Sequence, residues 1–172
     1  VKSAPSQQVA MVIDPPDGRI PEMTAEAQAA MANRVDTSGV RRLAAGPEDL
    51  SPWVRCITRT LIPTPQVYNN GMQIVQGPGY VAVQREMIHE TRVIPTEPKP
   101  HVGEGITSWL GDARGHWDGD TLVVEIKNLN GRVSFRGTTD ALTLTERYTR
   151  TGPDTLQYQF TIDDPEVFTR PW

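Results

Sequence analysis

LTLTERYTRTGPDTLQYQFTI, residues 142–162, is the stretch that decides the fold. Leu142, Leu144 and Tyr148 alternate with Thr143, Thr145, Arg147 and Thr149. Thr151-Gly152-Pro153-Asp154 then turns the chain, and Leu156, Tyr158, Phe160 and Ile162 alternate with Thr155, Gln157, Gln159 and Thr161. Successive side chains of a strand point to opposite faces, so a period of two means one apolar face and one wet face. The stretch reads as an antiparallel hairpin. The same parity puts Glu146 on the apolar face with Leu144 and Tyr148, where a carboxylate must be paired, hydrogen-bonded or protonated.

Working back along the chain, the same period recurs. His116-Trp117, Asp118-Gly119 and Thr121–Ile126 form a hairpin signal, because Asp-Gly supplies the positive φ that a tight turn needs. Met72–Gln76 reads as a short strand, Gly77-Pro78-Gly79 as a turn, and Tyr80 to Ile94 as strand with a break near Glu86. Pro95, Pro98, Pro100, Gly103 and Gly105 make 95–105 a loop. Several antiparallel strands with little helix among them predict a mainly β fold, an antiparallel barrel or a sandwich.

Helix signals are confined to the N-terminal part. Thr24 is a good N-cap for Ala25–Met31, a helix that ends near Arg34, and Ser51-Pro52 opens a second short helix to about Thr58. The chain therefore reads as one domain: an extended arm over 1–22, short helices over 23–60 and a β-domain over 66–172. Its 172 residues, 37% hydrophobic and 22% charged, suit a packed core.

Composition excludes several functions. The net charge is −4, and the densest basic run is the pair Arg41-Arg42, so no phosphate-binding face for nucleic acid exists. The apolar runs are too short for a membrane span. Cys56 is the only cysteine, which rules out an intramolecular disulfide and CxxC metal or redox motifs. A small buried hydrophobe is the ordinary role for such a residue. No P-loop, dinucleotide fingerprint or G-x-S-x-G elbow appears, and no cofactor is implied. Oligomeric state is not legible.

The residues that carry chemistry are few. Glu146 reads as a ligand anchor or general acid/base inside the β-domain, or as one half of a salt bridge to an arginine. His89 has Glu86 and Glu90 beside it, and a carboxylate raises imidazole basicity. Strict alternation, however, puts Glu86 and His89 on opposite faces. Asp112 and Arg114 read either as a charged pair at a pocket edge, with the arginine holding an anionic group, or as a bridge bracing a turn. Tyr68 and Asn69, just before a strand, offer a phenol and an amide to orient a ligand, though Asn70-Gly71 is also turn chemistry. Trp117, Arg136 and Tyr148 complete the candidate ligand-binding set. Glu125 shares a face with Thr121 and Val123 and reads as solvated. His89, His101 and His116 show no metal-ligand spacing, so no metal site is assigned.

Pro15-Pro16-Asp17-Gly18-Arg19-Ile20-Pro21, Tyr68-Asn69-Asn70 with Gln73-Ile74-Val75-Gln76, GDARGHWDGDTLVVE (111–125), Phe135-Arg136-Gly137 and DDPEVFTRPW (163–172) resemble a family of secreted bacterial proteins of unassigned activity. Its sequences come from acidobacteria, proteobacteria and metagenomes. Its members carry a signal peptide and run a little past the position of Trp172. The resemblance implies a periplasmic or secreted location and a chain that continues at both ends; it implies no catalytic assignment. Residues 117–123 and the last hairpin also resemble lipocalin-like barrels. The function expected is small-molecule binding by an extracytoplasmic β-domain. If that domain is also an enzyme, it would be a metal-independent lyase, isomerase or hydrolase in which His89 or Glu146 moves the proton. The alternatives are a protein-interaction module docking partners through its Pro-rich segments, and a histidine-ligated copper or zinc protein.

Overall fold

A computed structural model describes residues 11–32, 46–47, 50–64 and 71–172. Seven strands form two antiparallel sheets. The first has the order β1 (Met72–Gly77), β2 (Tyr80–Arg85), β3 (Thr91–Pro95), and the second β4 (Asp112–Asp118), β5 (Thr121–Lys127), β6 (Thr143–Gly152), β7 (Thr155–Asp163). Every neighbouring pair within a sheet is also adjacent in sequence, so tight turns set most of the topology. Gly77 pairs with Tyr80 across Pro78-Gly79, Asp118 with Thr121 across Gly119-Asp120, and Gly152 with Thr155 across Pro153-Asp154. Gly119 takes φ +58, the left-handed value that the Asp-Gly pair promised.

The alternation of 142–162 is realised as expected. Leu144, Glu146 and Tyr148 of β6 lie opposite Ile162, Phe160 and Tyr158 of β7, all turned inward. Leu122, Val124 and Ile126 of β5 continue that face. Val81, Val83 and Ile94 face them from the first sheet, and these two apolar faces make the core. Gly115 lets the sheets approach: a Cβ there would stand 2.8 Å from Ile94 Cγ2.

The sheets are open, which corrects the barrel reading. No ladder joins β3 to β4 or β7 to β1 among the described residues. Two features of the sequence account for this. β3 ends at Pro95, and the long β3–β4 connection carries Pro98 and Pro100; none of the three has an N–H to give to a ladder. At Ile162 the outer edge of β7 is already taken, because Ile162 N–H donates to Trp172 O at 2.7 Å and Trp172 N–H to Ile162 O at 3.0 Å.

Among the described residues one α-helix is present, α1 (Ala25–Ala32), with Thr24 as its cap: Thr24 Oγ1 accepts from Ala27 N–H at 3.1 Å and donates to Glu166 O at 2.8 Å. The second expected helix is a single turn. Ser51 Oγ caps it at Val54 N–H, but Cys56 adopts φ +54 and ends it. The chain then dives inward, and Thr58, Leu61 and Ile62 are buried in the core. Of the arm over 1–22, the part from 11 onward is described, and Val12 and Ile20 pack against the core. No helix among the described residues is long and apolar enough to cross a membrane.

Candidate functional site

Two inward-facing features stand next to one another, a buried ion pair and an open cleft. Glu146 is fully buried. Its Oε2 accepts from Arg92 Nη1 at 2.6 Å and its Oε1 from Tyr158 Oη at 2.7 Å. Parity explains the meeting: Arg92 shares the inner face of β3 with Ile94 and reaches across the sandwich. Arg92 Nη2 and Arg85 Nη2 both donate to Leu61 O, at 3.2 and 3.0 Å. Arg85 also pairs with Glu90 at 3.2 Å, and Thr58 Oγ1 donates to that carboxylate. The inserted Thr58–Ile62 segment thus supplies the carbonyls that two inward arginines need.

Electrostatics lock this layer. Burial opposes the Arg92 charge, but the attraction of Glu146, reinforced by Tyr148, Tyr158 and Glu90, outweighs it and raises the guanidinium pKa. Burial, and next the Glu146 carboxylate, hold the Tyr148 and Tyr158 phenols well above their ordinary range. Both stay protonated, and Tyr158 serves Glu146 as a donor.

Beside this layer the sandwich opens. A cleft of about 1000 Å³ lies between the sheets, lined by Ile74, Val81 and Val83 on one side and Trp117, Leu122, Tyr148 and Leu156 on the other. Its mouth is framed by the hairpin turns: Gln76 beside the β1–β2 turn, Gly119 and Asp120 in the β4–β5 turn, Pro153 and Asp154 in the β6–β7 turn, with Arg150 next to the last. Trp117 continues the inner-face row of Ala113 and Gly115 but is half exposed. Tyr148 belongs to both features: it lines the cleft, and its ring lies 4.9 Å from that of Tyr158.

The other sequence candidates sit elsewhere. His89 is exposed in a 3-10 turn, Met87–His89, that separates β2 from β3 at the break expected near Glu86. Glu86 turns away and accepts from Gly71 N–H at 2.9 Å. Asp112 and Arg114 pair at 3.0 Å on the outer face of β4. There they join His101, whose Nδ1 stands 2.8 Å from Asp112 and whose Nε2 stands 3.1 Å from Glu125. Lys127 pairs with Glu125 at 2.9 Å; that hydrogen bond, opposed by partial burial and helped by His101, lowers the Glu125 pKa. Glu125 therefore anchors the 95–105 loop through His101. Arg136 is exposed in the β5–β6 connection at φ +55, over the Phe135 ring. Tyr68 and Asn69 lie outside the described residues. No group of three or more His, Cys, Asp or Glu among the described residues is arranged to hold a metal ion, and Cys56 is exposed.

Of the candidates, the structure brings Glu146, Tyr148 and Trp117 into one region. Sequence reasoning missed Arg92. The available signal was the alternation in Thr91–Pro95, which turns Arg92 to the same face as Ile94. No protein-family model, curated protein or solved structure matches this chain. The comparisons therefore lend no support to the expected family of secreted bacterial proteins or to a periplasmic or secreted location.

Proposed function

We propose that the chain binds a small apolar molecule in the cleft between its two sheets. The cleft itself carries the reading: about 1000 Å³ of space is lined mainly by side chains of core type and left open to solvent. Concave, largely apolar space with a few polar groups is the usual form of a small-molecule site. Glu146 stands behind the cleft, tied to Arg92 and Tyr158, and serves as a scaffold that fixes the aromatic floor. This favours binding over proton transfer by that carboxylate.

The test uses N-phenyl-1-naphthylamine, a neutral dye that brightens in apolar surroundings. Stoichiometric, saturable binding is expected, and Ile74→Trp, which puts an indole into the cleft from a partly exposed position, abolishes it. Dye binding that is absent, or unchanged in Ile74→Trp, refutes the proposal.

A further inference from the structure

We infer that the cleft takes a cationic amphiphile, with an apolar body between the sheets and an ammonium or amidinium group at the mouth. This rests on the cleft reading above and adds the charge of the ligand. Asp120 and Asp154, in two different hairpin turns, border the cleft and are exposed. Neither makes an ion pair or a side-chain hydrogen bond with the described residues, whereas nearby Asp118 is held by Arg147 at 2.8 Å. Arg150 is the one cation in the described lining, and it is turned onto its own hairpin: Nε donates to Gly152 O at 3.1 Å and Nη2 to Pro153 O at 2.7 Å. The mouth therefore carries two carboxylates without a partner among the described residues, against one occupied guanidinium.

Trp117 provides the second, independent observation. An indole face attracts cations through its quadrupole. Trp53 is covered by Arg59, 4.6 Å from the ring centroid, and Trp109 by Arg55 and Arg132, at 5.4 and 5.8 Å. Trp117 has no such cover among the described residues and stands half exposed at the mouth beside Asp120. Carboxylates on two turns and an uncovered indole thus border the same cleft. One net negative charge roughly 5 Å from a ligand charge, in water-like surroundings, separates a cation from an anion by on the order of tenfold.

Calorimetry with three probes of equal chain length tests this: decyltrimethylammonium, decanol and decanoate, each below its aggregation concentration. The cation is expected to bind about tenfold more tightly than the anion, with the alcohol between them and the gap narrowing at high salt. Asp120→Asn/Asp154→Asn leaves Arg150 as the charged side chain of the lining, so the preference shifts from the cation toward the anion. Ile74→Trp weakens all three. Equal or tighter binding of decanoate, with decanol still bound, overturns the charge inference and leaves the cleft reading standing. A preference for the cation that survives in Asp120→Asn/Asp154→Asn overturns the assignment to these carboxylates. Failure of all three probes overturns both readings together.

Discussion

Replacing Glu146 by Leu removes the acceptor of a buried guanidinium and of a buried phenol in one step. Arg92 would keep Leu61 O as its only partner among the described residues, since its Nε already has none there. An arginine cannot shed its proton to escape, so the charge stays buried and uncompensated. Removing one member of a buried pair costs about 3–5 kcal/mol, and the orphaned Tyr158 hydroxyl adds about 1 kcal/mol or more. Against a typical total of about 5–15 kcal/mol, Glu146→Leu folds poorly or not at all. Arg92→Met is milder, because a buried carboxyl can be neutralised by a proton. The double variant Arg92→Met/Glu146→Leu restores a closed apolar layer and recovers most of the loss. Urea unfolding followed by far-UV circular dichroism measures the cycle, which foldable variants close: Arg92→Met, Glu146→Gln and Arg92→Met/Glu146→Gln. The expected coupling between positions 92 and 146 is about 2–3 kcal/mol. Additive effects, with the double variant as unstable as the sum of the singles, would refute the claim that these two charges hold each other.

Gly115→Ala sets a methyl 2.8 Å from Ile94 Cγ2 and is expected to destabilise by about 1–3 kcal/mol, with Ile94→Val restoring part of the loss in thermal unfolding. Alkaline titration reports on Tyr148 and Tyr158. Their phenol pKa values are raised in the folded state, so their contribution is complete below the unfolded value near pH 10 and is lost as pH rises above it. Tyrosinate absorbance from these two should therefore appear together with loss of near-UV circular dichroism. Ionisation of all the tyrosines with the fold intact would contradict their burial beside Glu146.

The β-hairpins were legible because parity is a local property. Two residues of register decide which face a side chain joins, and the 142–162 alternation placed Glu146 inside without any knowledge of its partner. The partner was harder to see, because β3 is only five residues long and Arg92 sits in it between Thr91 and Val93. Closure was not legible at all. Whether seven strands make a barrel depends on which edges find partners, and the β7 edge is met at Ile162 by Trp172, in a segment that has no strand pattern of its own. The second helix failed for a similar reason. Good cap chemistry at Ser51-Pro52 was overridden when Leu61 and Ile62 were drawn into the core, with Cys56 left-handed at the bend. The cleft is the space left between two sheets, and no single segment encodes it. Trp117 and Tyr148 were selected for their chemistry, while Ile74, Val83 and Leu156 look in sequence like ordinary core.

The Trp172–Ile162 backbone pair has a consequence beyond the shape of the fold. An uncovered edge strand is a template on which further chains can add, and β7 is long, apolar on one side and rich in β-formers. The tail acts as a stopper on that template at Ile162. Replacing the Trp172 segment would uncover the outward backbone groups of Ile162 and, because Trp172 and Phe168 belong to the core, loosen the packing behind them as well.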